Sequence, residues 1–90
     1  MIKAISVKAL APYKLHVTFN DGVEGTVDLS HLKDGEAFAF WQIPGNFEKV
    51  YLEGEAIAWN DNLDIDSLSL YLQLTGQTFA AFTAKQNSHA

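Results

Sequence analysis

From Tyr13 to Leu29 the chain alternates apolar and polar residues, breaks once at Asn20-Asp21-Gly22, and then alternates again. A period of two belongs to a strand with one buried face, so Tyr13, Leu15, Val17 and Phe19 share one side and Lys14, His16 and Thr18 the other. Three turn residues ending in glycine suit a type I turn with Gly22 left-handed, which sends the next strand straight back. Val23, Gly25, Val27 and Leu29 then extend the inner face, and Glu24, Thr26 and Asp28 stand opposite Lys14, His16 and Thr18 outside. The rest of the chain has to cover the apolar face of this antiparallel hairpin.

Ninety residues make one domain near the low end of what folds unaided, and six Phe, three Tyr and two Trp supply the large side chains such a core needs. Ahead of the hairpin, Ile5, Val7 and Ala9 alternate with Ser6, Lys8 and Leu10, a strand closed by Ala11-Pro12. After it, Ser30 to Lys33 reads as a short helical turn, and Glu36 to Ile43 as a one-to-two-turn helix ended by Pro44-Gly45. Phe47 to Glu53 and Ala56 to Trp59 form a second hairpin around Gly54. An acidic turn then leads to a helix from Ser67 to Thr75, with Asp66 as its cap and Gly76 as its stop. That helix is apolar around most of its circumference, so more than one side of it should be covered. The predicted fold is α+β: a mainly antiparallel sheet of two β-hairpins plus an N-terminal strand, with two short helices packed on it. Residues 1–76 form the domain and residues 77–90 a tail, docked in part through Phe79 and Phe82 or disordered.

Composition removes several functions. Without cysteine there is no disulfide, thiolate nucleophile or Cys-bound zinc. The net charge is −5, and all eleven acids fall between residues 21 and 66, while Lys3, Lys8 and Lys14 stand alone in the first twenty. All six basic residues are lysine, so no guanidinium fork exists for phosphate or guanine, and direct nucleic-acid binding is not expected. An acidic surface suits solvent or a basic partner protein. No apolar run approaches the roughly 20 residues of a membrane span, and no signal-like leader is present; a soluble cytoplasmic protein is expected, with no membrane contact.

Asn60, Asp61, Asn62, Asp64 and Asp66 invite a calcium-loop reading, but an EF-hand begun at Asn60 places Ile65 where the turn glycine belongs and Tyr71 where the bidentate glutamate belongs. No metal or other cofactor is therefore expected. His16, His31 and His89 lack ligand spacing, and no catalytic motif occurs, so the chain reads as a non-enzyme.

With these residues in place, the chain resembles the small bacterial domain-of-unknown-function family 2442. The resemblance runs from residue 2 to about 71. It rests on Tyr13-Lys14-Leu15-His16-Val17-Thr18-Phe19 with Asp21-Gly22, on Val27-Asp28-Leu29-Ser30, on Phe47 with Val50, and on a Trp-Pro-Asn-Gly-x-Asp-Leu signature followed by a Leu-Tyr helix. That signature reads Trp59-Asn60-Asp61-Asn62-Leu63-Asp64-Ile65 here, with Asn60 in place of proline and Asn62 in place of glycine. The resemblance implies an α+β domain, often dimeric, acting as an accessory beside a DNA-binding helix-turn-helix or beside a toxin-like protein.

The expectation is a non-enzymatic interaction or regulatory module, antitoxin-like and homodimeric, with a toxin-like or DNA-binding regulator as partner. The alternative is a small-ligand sensor whose pocket lies between Trp59, Asp64, Tyr71 and the sheet. Trp59, Asp64, Tyr71, Asp28 and His16 are the candidate ligand or partner residues. Asp64 is expected to hold the acidic turn by accepting backbone hydrogen bonds, and Trp59 to join sheet to helix.

Overall fold

The structure is a computed structural model that describes residues 2–78 and residue 80. It carries two three-stranded antiparallel sheets and not the single sheet expected. The first is β1 (Ala4–Leu10), β2 (Lys14–Phe19) and β3 (Glu24–Asp28), in that order; the second is β4 (Tyr51–Glu53), β5 (Ala56–Asn60) and β6 (Leu63–Asp66). The α-helix α1 (Ser67–Thr75) follows β6, and among the described residues three 3₁₀ segments, Ser30–Leu32, Glu36–Gln42 and Phe47–Lys49, connect the sheets. The α+β class therefore holds. The proposed docking of Phe79 and Phe82 lies outside the described residues.

The first hairpin has the register its alternation requires. Lys14 faces Asp28, His16 faces Thr26 and Thr18 faces Glu24, while Leu15, Val17 and Phe19 are fully buried. At the turn, the Gly22 N–H donates to the Phe19 carbonyl at 3.0 Å and Gly22 takes φ 93°, a region glycine enters at no steric cost. Tyr13 departs from the pattern. It sits in the β1–β2 turn after a cis Ala11-Pro12 bond, at φ 57°, so β2 begins one residue later.

β1 also departs from strict alternation. Its register against β2 shifts between Ala4 and Ser6, a bulge that turns Ile5 outward to 55% exposure and puts Ala4 on the buried face in its place. Further on, Phe47 to Lys49 forms a 3₁₀ turn, and only Tyr51–Glu53 is strand. The stretch read as an acidic turn is shorter than expected: Asp61 and Asn62 make the turn, and Leu63–Asp66 is β6, a strand the sequence reading missed. Asp66 occupies the position before α1 but its side chain makes no capping bond; the Ser67 N–H donates instead to the Glu55 carbonyl at 3.0 Å. The helix does stop at Gly76, φ 71°, where the N–H groups of Gly76 and Gln77 both reach the Leu72 carbonyl.

Aromatic side chains fill the junction between the sheets. Trp41 packs at 4.8 Å from Trp59 and 5.1 Å from Phe47 between ring centroids, and Tyr13 caps the group 5.5 Å from Phe47. These rings come from the β1–β2 turn, two 3₁₀ segments and β5, so the cluster ties together parts of the chain that share no ladder. On the far side, α1 rests against β3 and β6. Gly25 makes that approach close: a Cβ there would lie 2.6 Å from Leu74 Cδ1.

Candidate functional site

In an antiparallel sheet, residues directly opposite one another point to the same face. Leu52, Ile57 and Ile65 form one row of the second sheet and point into the core. The neighbouring rows are Tyr51, Ala58 and Asp64, and Glu53, Ala56 and Asp66; these face outward. The central strand therefore offers only methyl groups on this side, while the two flanking strands offer three carboxylates and a phenol. Ala58 is buried between its longer neighbours, and Tyr51 remains 38% exposed.

The electrostatics of the face register on Tyr51. Desolvation, and then the carboxylates of Glu53, Asp61 and Asp64, push its phenol above the ordinary tyrosine range. No lysine or histidine occurs in β4, β5 or β6. The outer face of the first sheet is mixed by contrast, with Lys8 beside His16 and Lys14 beside Asp28.

The five residues singled out from sequence are dispersed. Trp59 is buried at 3% exposure, with its Nε1–H donating to the Phe47 carbonyl at 2.8 Å, so it joins β5 to the preceding 3₁₀ turn. Tyr71 is buried on α1 beside Phe19, and its hydroxyl donates to Asp21 Oδ2 at 2.7 Å. That bond is the main reason the Asp21 carboxyl lies below its usual range, with the Val23 N–H second; it also raises the Tyr71 phenol, and burial adds to that rise. Asp28 accepts from the Ser30 N–H at 2.9 Å, and this contact holds its carboxyl low. His16 lies between Glu24 Oε1 at 3.1 Å and Thr26 Oγ1 at 3.4 Å on the outer face of the first sheet. Asp64 is exposed on β6 and does not hold the turn before it; Asn60 Oδ1 accepts from the Asn62 N–H at 2.8 Å and does so instead.

Asp64 alone of the five belongs to the acidic face. The sequence reading missed Tyr51, Glu53 and Asp66 as its neighbours because β6 was not recognised, and without β6 no row crosses the sheet. Their one sequence signal was the alternation of Tyr51 and Glu53 with Leu52. A separate hollow of about 270 Å³ lies beside the β1–β2 turn, between Pro12 and Tyr13 on one side and Ile43, Pro44 and Glu48 on the other, away from Asp64 and Tyr71.

The family model described as "Protein of unknown function (DUF2442)" matches residues 4–82. The chain belongs to the DUF2442 family. It matches no curated protein and no solved structure. Within this DUF2442 domain Trp59 and Leu70-Tyr71, which carry part of the resemblance, are core, whereas the acidic face lies on the outside of the second sheet. Among the described residues no three His, Asp or Glu side chains group as a metal site, and no helix is long and apolar enough to cross a membrane.

Proposed function

We propose that this DUF2442 domain is a non-enzymatic interaction module that binds a basic protein partner through the outer face of β4, β5 and β6. The observation that supports this reading is the one-signed surface made by Tyr51, Glu53, Asp64 and Asp66 around Ala56 and Ala58. Carboxylates brought together without cations make the potential of the face more negative and draw in positive charge. The half-buried Ala56 leaves room beside the carboxylates for the aliphatic stem of a lysine or arginine, and Tyr51 offers a ring face to its cation. A regulatory or antitoxin-like accessory, working as a homodimer in the cytoplasm, is the biological setting we attach to this face.

The test is capture of a native partner by the full chain and by the Glu53→Lys, Asp64→Lys double variant. The wild type should retain a specific basic protein that the variant loses, and the complex should weaken as salt rises. A monodisperse monomer that retains no specific partner, or a variant that retains the same one equally well, would refute the reading.

A further inference from the structure

The hollow beside the β1–β2 turn has three features that the acidic-face reading does not use. Trp41 lines it and is only 2% exposed, yet its indole Nε1 is buried with no hydrogen-bond partner among the described residues. An indole N–H is a donor with no other way to be satisfied, and leaving such a group unpaired is costly. Tyr13, on the wall, is a non-glycine residue held at φ 57°, a conformation that persists only where its surroundings enforce it. Here the Leu29 N–H donating to the Tyr13 carbonyl at 2.8 Å, and the packing of the ring on Phe47, enforce it. Glu48 is the one charged residue of the lining, which is otherwise proline, aromatic, aliphatic or neutral.

We propose that this hollow receives a proline-bearing extended segment of a partner protein, with a lysine or arginine next to the proline paired to Glu48. An open hollow of about 270 Å³ is small for an enclosed metabolite site, which commonly holds about 300–1,000 Å³, but it suits a segment lying across the surface. Proline rings pack on aromatic and proline surfaces such as Tyr13, Pro12 and Pro44, and a polyproline segment is already extended, so little entropy is lost on docking. The same conformation has no internal hydrogen bonds, so each of its carbonyls is free to accept from Trp41 Nε1. Trp41 Nε1 is buried, so a carbonyl reaches it only if the exposed rim Ile43-Pro44-Gly45 moves aside while Gln42, just before it, stays held to the Lys33 carbonyl at 2.6 Å. The proposal is independent of the acidic face, since none of its residues lies on β4, β5 or β6.

The experiment is a titration of the ¹⁵N-labelled full chain with the synthetic peptide acetyl-Pro-Pro-Leu-Pro-Pro-Lys-amide, reading the two indole N–H resonances. The Trp41 resonance should move saturably while that of Trp59, already bonded to Phe47, stays in place. The same peptide with alanine for every proline should bind at least about tenfold more weakly, the loss expected when an extended segment is no longer pre-organised. Glu48→Gln, at an exposed position that leaves the fold intact, should weaken the proline peptide by about two- to fivefold, the range of a surface ion pair. Tyr13→Gly, which keeps the turn but removes the ring, should abolish the shift. Absence of a saturable Trp41 shift, equal binding of the alanine peptide, or equally tight binding of free prolinamide would each overturn the proposal, the last in favour of a small-molecule site.

Discussion

Two buried aromatic side chains illustrate how a polar atom decides the value of a ring. Trp59 and Trp41 pack against each other, but among the described residues only Trp59 has an acceptor for its N–H, the Phe47 carbonyl. Trp59→Phe strands that carbonyl and should cost about 1–3 kcal/mol beyond the lost packing, whereas Trp41→Phe strands nothing. Urea denaturation of the two variants should therefore rank Trp59→Phe as the less stable. Tyr71 presents a related case at the hairpin tip, where its hydroxyl holds Asp21. Removing it with Tyr71→Phe should cost about 1 kcal/mol, below the roughly 1.5–3 kcal/mol of a bond to a charged group, because Asp21 is exposed to solvent. The pH dependence has a definite sign. Asp21 is depressed in the fold, so its contribution is complete above the unfolded carboxyl value of about 3.9 and is lost as pH falls through the lower folded value. Thermal midpoints measured from pH 6 down to pH 2 should fall less steeply for Tyr71→Phe than for the wild type; parallel curves would rule out this linkage.

At the scale of elements, the contact of α1 with β3 depends on what Gly25 lacks. A methyl at 2.6 Å from Leu74 Cδ1 forces that side chain to another rotamer and loosens the last turn of the helix. Gly25→Ala should destabilise by about 1 kcal/mol, at the mild end of overpacking because Leu74 is only half-buried and can yield. Amide exchange should quicken in Gln73, Leu74 and Thr75 more than in β1. The hairpin around Asn20-Asp21-Gly22 was readable because its strands, turn and charge pairing agree with one another over seventeen consecutive positions. β6 was not, because Leu63-Asp64-Ile65-Asp66 is four residues long and its polar members are the same ones that suit turns and helix caps.

For the whole molecule, the aromatic junction ties the two small sheets together. Three-stranded sheets of this size are marginal alone, and here each lends a face to the same group of rings. Unfolding should therefore be a single transition. Tryptophan fluorescence, which reports the junction, and far-ultraviolet circular dichroism, which reports strands and α1, should give the same urea midpoint, and separated midpoints would show that the sheets unfold independently.

The sequence by itself determined the family, the α+β class, the register of the first hairpin, the glycine stop of α1 and the concentration of acids between residues 21 and 66. These follow from local periodicity, turn chemistry and composition, which each residue carries with it. Only the tertiary structure decided that the strands divide into two sheets, that Ile5 is turned out by a bulge, and that Trp59 and Tyr71 are core while Asp64 shares an acidic face with Tyr51, Glu53 and Asp66. Those outcomes depend on which strand pairs with which, and pairing across a sheet is fixed by packing between residues distant in the chain.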